Sequence, residues 1–171
     1  MSRIYIASPY WNQFHVAVVE DLRDVGHQVF DYRGNDGAGP EEIFGANYNS
    51  LTAADFAAAM ADPLAQAKLA ADQTAIDECD TFILLLPAGR SSHFEFGYAC
   101  ALGKRTIVAA LDGVIPAELI YSLADRVVTS MSELLAAVAV RGGSNGYRLI
   151  STREVSCIPQ ERAQLGGVRS E

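Results

Sequence analysis

The sequence predicts an α/β fold: a doubly wound, mainly parallel sheet of five strands. Three observations predict it. Strand-length stretches at 3–7, 27–32, 82–86, 106–111 and 126–129 are separated by stretches of helical length and pattern. The run at 82–86 (FILLL) is apolar at consecutive positions, as a strand covered on both faces must be. The stretch 80–111 reads strand, loop, helix, strand, and parallel pairing of its strands requires a right-handed crossover.

Residues 3–7 form the first strand, with Ser8-Pro9-Tyr10-Trp11-Asn12 as the loop at its carboxyl end. Phe14, Val18, Leu22 and Val25 fall on one face of a helix that Gly26 ends. Residues 27–32 return as the second strand and complete a βαβ unit. The segment 34–50 (GNDGAGPEEIFGANYNS) is rich in Gly and Asn and holds Phe44 and Tyr48; it reads as a long loop, functional or mobile, that opens no clear helix. Its glycines do not form G-x-G-x-x-G, so it is no dinucleotide fingerprint. The alanine-rich 52–61 reads as a helix, Asp62-Pro63 as a break, and 64–78 as a second helix. Asp72 lies inside it, where an aspartate ordinarily faces solvent.

Pro87 ends the central strand, because it cannot donate to a ladder. A loop at 88–92 leads into a helix whose apolar face is expected from Phe94, Tyr98, Ala101 and Leu102, with Gly103-Lys104 as its stop. Ser92-His93-Phe94-Glu95 has the S-x-x-E form of a capping box, which puts Glu95 in the first turn. Gly97 costs about 1 kcal/mol relative to Ala in mid-helix, so a close approach to its backbone is expected. Strands at 106–111 and 126–129 follow, then a helix to 140 capped by Ser130 or Ser132, with Glu133 near its start. Gly142-Gly143-Ser144-Asn145-Gly146 ends the packed unit. The organisation is therefore one α/β domain over 1–140 and an extension over 141–171, strand-like at 147–150, that packs on the body or a neighbouring subunit.

Composition bounds the function. At 171 residues, half hydrophobic and a fifth charged, the chain reads as a soluble globular domain. A net charge of −8 argues against a nucleic-acid partner, which would call for a basic face. No apolar run reaches the ~20 residues of a membrane span, and the start reads as a strand rather than a secretory leader. Cys79, Cys100 and Cys157 are odd in number and widely spaced, which suggests reduced thiols in a cytoplasmic protein, with Cys79 and Cys100 as core residues. His15, His27 and His93 form no metal-binding spacing, so neither a metal nor a cofactor is expected. Ser91 and Ser92 lack the G-x-S-x-G elbow of a hydrolase nucleophile.

The expected strand order is 2-1-3-4-5, as in flavodoxin-like and other Rossmann-like sheets, and such sheets take ligands where the strand order reverses. There the carboxyl ends of strands one and three bring Ser8, Tyr10 and Trp11 to the same crevice as Gly89, Arg90, Ser91, Ser92 and Glu95. A glycine, a cation and two hydroxyls at a helix start suit a phosphate. Trp11, Phe44 and Tyr48 are candidates for stacking on a base or for ordinary packing.

Three stretches carry a family resemblance: Ile4-Tyr5-Ile6-Ala7-Ser8-Pro9; Asp72 eight residues before Asp80; and Glu95-Phe96-Gly97-Tyr98-Ala99 followed by Ala101-Leu102-Gly103-Lys104. Together they run from residue 4 to residue 104 and resemble the nucleoside 2-deoxyribosyltransferase family, which includes 2'-deoxynucleoside 5'-phosphate N-hydrolases and CMP N-glycosidases. The resemblance implies an enzyme that cleaves the N-glycosidic bond of (deoxy)nucleosides or their 5'-monophosphates, passing the sugar to another base or to water. It implies Glu95 as nucleophile, Tyr5 as the group contacting it, and Asp72 as the residue of base handling and proton transfer. It also implies a homo-oligomer, a dimer or larger. One departure stands out: the transferases carry a further acidic residue in the loop before the nucleophile, and Pro87-Ala88-Gly89-Arg90-Ser91-Ser92-His93 is shorter and has none. A missing acid removes a charge that would repel phosphate.

The residue types suit this chemistry. Breaking an N-glycosidic bond builds positive charge on the sugar, which a carboxylate beneath C1' stabilises or traps covalently. A helix N-terminus would favour the ionised form of Glu95. Two other readings compete: an NAD or ADP-ribose type glycohydrolase, and a non-catalytic nucleotide-binding module in which Glu95 only caps its helix.

Overall fold

The computed structural model describes residues 1–33 and 39–140. The extension expected over 141–171, with its strand-like stretch and Cys157, and the loop residues 34–38 lie outside the described residues. Strands β1 (Arg3–Ala7), β2 (Gln28–Phe30), β3 (Thr81–Leu85), β4 (Arg105–Ala109) and β5 (Arg126–Val128) form one sheet in the order β2-β1-β3-β4-β5. Every neighbouring pair is parallel, so the expected topology is the observed one. β3, at the centre, is buried at every position, which is why its sequence shows no polar alternation.

Helices cover both faces. Ile4, Ile6, Ile83, Leu85 and Ile107 pack against Val18 and Leu22 of α1 (His15–Asp24) and Leu134 and Val138 of α6 (Met131–Ala139). Tyr5, Phe82, Leu84 and Val108 point the other way, toward Ile76 of α4 (Pro63–Glu78) and Phe96 and Ala99 of α5 (Arg90–Ala101). Successive strand residues alternate between faces, so the register of β1 alone sends Tyr5 to the α4/α5 side. Two helix ends close as the glycines predict. Gly26 (φ +89°) and Gly103 (φ +67°) take left-handed backbone, and the amides of His27 and Lys104 reach back to the carbonyls of Leu22 and Ala99. Ser130, not Ser132, caps α6 by accepting from the Glu133 amide, while the Glu133 carboxylate accepts from the Thr129 amide.

The structure corrects four expectations. The segment expected to open no helix contains α2 (Pro40–Phe44), led by Pro at its first turn and closed by Glu42 accepting from the Gly39 amide; a 3-10 turn follows at Tyr48–Ser50. α3 (Ala53–Met60) and α4 (Pro63–Glu78) then run much as expected, capped by Thr52 and Asp62. α5 (Arg90–Ala101) begins at the residues assigned to a loop, with Gly89 as its N-cap, so Ser92 is no cap and the capping box does not form. The physical reason is local: the His93 amide and ring both bond the Gly89 carbonyl, closing the first turn three residues early, while Ser92 is turned inward at 5% exposure. The apolar face of α5 is also another one. Ser92, Phe96 and Ala99 face the sheet and Phe94 stands 78% exposed, because two small residues flanking one Phe let the helix approach closely. Finally, no atom outside the helix lies within 4 Å of where a Gly97 Cβ would stand, so the close approach expected there is not made among the described residues.

Candidate active site

β1, α4 and α5 together build a polar cluster inside the α4/α5 layer. Tyr5 is 1% exposed, sandwiched between Phe30 and Phe82 at ring separations of 5.5 and 5.4 Å, and its hydroxyl pairs with the Glu95 carboxylate. Starting α5 at Arg90 places Glu95 in the second helical turn, one residue before the buried Phe96, so its side chain leans toward the sheet rather than capping the helix. The expected help from the helix terminus is therefore corrected as well, since that field fades within the first turn. Burial, and next the charge of Asp72, push Glu95 up to about 7, with Lys68 and the Tyr5 hydrogen bond pulling the other way. Burial and the two carboxylates push the Tyr5 phenol up, so it stays protonated and donates.

Asp72 is not a solvated mid-helix aspartate. The inward stripe of α4 runs Ala65, Lys68, Asp72, Ile76 and on to Cys79, so two charged residues occupy helical positions that normally hold core side chains. Lys68 Nζ donates to Asp72 Oδ1 at 2.5 Å, with side chains 14% and 21% exposed. The Lys68 ammonium also lies 5.7 Å from the centre of the Tyr32 ring. Further down the stripe, burial pushes the Cys79 thiol up to about 11, fitting a core residue.

A second polar network holds the loop after β1. Ser8 is buried, with Oγ 2.8 Å from His15 Nδ1 and 3.1 Å from the Tyr32 hydroxyl, and His15 Nε2 lies 3.0 Å from Asp31 Oδ1. Burial lowers His15, so the neutral ring donates to Asp31 and accepts from Ser8. Arg33 donates to the carbonyls of Pro9 and Asn12 at 2.7 and 3.2 Å. Asn12 spans the switch point, donating to the carbonyls of Leu85 and Pro87 at 3.2 and 3.1 Å.

Of the residues singled out from sequence, Tyr5, Asp72 and Glu95 come together. Tyr10 meets Tyr32 edge-on at 5.1 Å and feels the Asp72 charge. Ser8 is tied to His15 and Tyr32 beneath that ring pair. Gly89, Arg90, Ser91 and Ser92 form the start of α5, which no side chain caps, with Arg90 and Ser91 exposed. Phe44 stacks on Phe56 at 5.9 Å and so packs α2 against α3. Trp11 and Tyr48 are exposed, and among the described residues neither ring stacks on another. The resemblance residues at the far end are structural: Asp80 accepts from the Arg3 amide, Tyr98 donates to Asp77, and Lys104 donates to the carbonyls of Asp77 and Cys79. Sequence reasoning missed Lys68, Tyr32, Asp31 and Arg33; the one available signal was the inward stripe of α4, which asks for apolar residues at 68 and 72 and finds charges.

Fold and cluster define an α/β protein with two carboxylates and a buried phenol grouped at the switch point of a 2-1-3-4-5 sheet. No family model and no curated protein matches the sequence. Among solved structures, the fold is shared with the 2-deoxyribosyltransferase of the psychrotolerant bacterium Bacillus psychrosaccharolyticus, at TM-score 0.57 and 22% identity over 77% of this chain and 88% of that one. The CMP N-glycosidase BcmB of Clostridium botulinum aligns at TM-score 0.47 and 19% identity, over 81% of this chain and 99% of its own. No helix among the described residues is long and apolar enough to cross a membrane.

Proposed function

We propose that this protein cleaves N-glycosidic bonds of (deoxy)nucleosides or their 5'-monophosphates, with Glu95 as nucleophile. The observation that carries the reading is the Tyr5–Glu95–Asp72 grouping, three side chains from three elements converging at the switch point. It is supported by the fold shared with a 2-deoxyribosyltransferase. Glu95 attacks C1', the bonding pair of the glycosidic bond leaves with the base nitrogen, and a sugar–carboxylate ester forms. A second base or water then attacks C1' and releases Glu95. The Tyr5 hydroxyl holds the attacking carboxylate. Asp72, with one oxygen on Lys68, meets the departing base with its other oxygen, taking a proton from solvent and passing it to the base nitrogen as the bond breaks, so that it ends as the carboxylate it began as. The uncapped start of α5, with Ser91 and Arg90 exposed, offers first-turn amides, a hydroxyl and a cation to a 5'-phosphate, whereas the buried Ser92 drops out of the expected cradle. The reading of Glu95 as a mere cap loses its basis, because Gly89 is the N-cap.

The test is base release from a panel of deoxynucleosides, ribonucleosides, their 5'-monophosphates and NAD, in wild type and Glu95→Ala. Release of free base by wild type and its loss in a folded Glu95→Ala protein is the expected result. Near-wild-type turnover in Glu95→Ala, or no release by wild type from any substrate, refutes the reading. Release from NAD alone transfers the protein to the glycohydrolases, and a rise in a new nucleoside when a second base is added separates transfer from hydrolysis.

A further inference from the structure

Lys68 has no part in the resemblance, yet it takes an inward, partly buried position on α4. The inward stripe of α4 it shares with Asp72 is bounded by the buried Ala65 and Ile76, and its own side chain is 14% exposed. A lysine at such a place needs a partner, and it has two: Asp72 at 2.5 Å and the face of Tyr32 at 5.7 Å. Tyr32 is in turn fixed by Ser8, so the ammonium is held from both sides.

We propose that Lys68 is a positioning residue of the site: its ammonium neutralises Asp72, so that Asp72 and Glu95 can carry negative charge together in one partly buried cluster. This rests on the reading of Glu95 as nucleophile. Two carboxylates that share a low-dielectric site do not both ionise unless a cation accompanies them. The charged or titratable groups facing Glu95 from the elements packed against it are Tyr5 on β1, Asp72 and Lys68 on α4, and, through Tyr5, Tyr32 after β2. Tyr10, beside Tyr32, adds a phenol that Arg33 and Glu42 also touch electrostatically. On α5 itself, His93 is occupied by the Gly89 carbonyl and the Tyr121 hydroxyl. Lys68 is thus the cation of this group that stands in contact with Asp72. It shields the nucleophile from Asp72 and holds Asp72 in one orientation.

The experiment is a carboxyl NMR titration of the substrate-free protein, with the Glu95 resonance assigned through Glu95→Gln, in wild type, Lys68→Met, Lys68→Arg and Lys68→Met/Asp72→Asn. The titration midpoint of Glu95 should rise by about one pH unit or more in Lys68→Met, from Coulomb interaction at short range in a partly buried site. It should stay near wild type in Lys68→Arg, which keeps the charge. In the double variant it should fall back to the wild-type value or below, because the repelling carboxylate is gone as well; this variant also serves where Lys68→Met alone does not fold. Where base release is observed, the acid limb of kcat/KM should move with the NMR midpoint, so that the loss in Lys68→Met is about tenfold on the acid side and shrinks as pH rises. An unmoved Glu95 midpoint in Lys68→Met, or in the double variant a midpoint well above wild type, overturns the proposal. The titration needs no substrate, so a protein that releases no base refutes the function while the role of Lys68 is still decided.

Discussion

Glu95→Gln should stabilise the fold, and by an amount that grows with pH. Gln keeps the shape of the side chain and can still accept from Tyr5, but it cannot ionise. In the folded protein burial and Asp72 raise Glu95 from its ordinary 4.5 to about 7. A carboxyl whose folded value lies above its unfolded value contributes stability that is fully present below the unfolded value and is lost as pH rises through the folded one. The full difference corresponds to roughly 3 kcal/mol at 1.36 kcal/mol per pH unit. Wild type should therefore weaken between about pH 4.5 and pH 7 relative to Glu95→Gln and run parallel to it above. The expected advantage of the variant is about 1 kcal/mol at pH 5.5 and about 3 kcal/mol at pH 9. Urea unfolding at half-unit pH intervals, with equal slopes required of the two proteins, measures it. An advantage that is constant across that range, or that grows toward acid, would refute both the burial of an ionisable Glu95 and its repulsion by Asp72. A gain in stability joined to a loss of base release is the signature of a strained functional carboxylate.

The remaining predictions concern the other parts of the cluster and its support. Asp72→Asn should cost far more kcat/KM on substrates with poor leaving groups than on activated ones; equal losses on both would leave Asp72 a structural partner of Lys68. Arg90→Ala should lower kcat/KM for a 5'-monophosphate and leave the parent nucleoside unchanged, and a nucleoside preferred over its monophosphate in both proteins would end the phosphate assignment. Phe96→Ala should cost ~3–5 kcal/mol in urea unfolding, whereas Phe94→Ala should stay within ~0.5 kcal/mol, since only Phe96 fills the layer under the sheet.

Much of the site was legible because its residues sit where the chain's local pattern changes. The loop after β1 and the segment leading to Glu95 after β3 lie at neighbouring strand ends, so topology alone brings them to one crevice, while Tyr5 was singled out by the resemblance. The start and face of α5 were not legible. S-x-x-E satisfies the capping pattern, and Phe94, Tyr98, Ala101 and Leu102 make as good an apolar stripe as Ser92, Phe96 and Ala99; only contact with Phe82 and Leu84 decides which one is buried. The same ambiguity hid α2, whose five residues are too short for periodicity and depend on Pro40 and Glu42 at its first turn.

By itself the sequence determined the strands and their parallel order, because strand length, full burial of β3 and right-handed crossovers leave few other arrangements; Asp72 and Glu95 were singled out by the resemblance. Only the tertiary structure decided what those carboxylates are. It paired Asp72 with Lys68, set Glu95 one turn inside α5 and raised it to about 7. Charge state follows from burial and from neighbours on other elements, and neither is written in the spacing of a single segment.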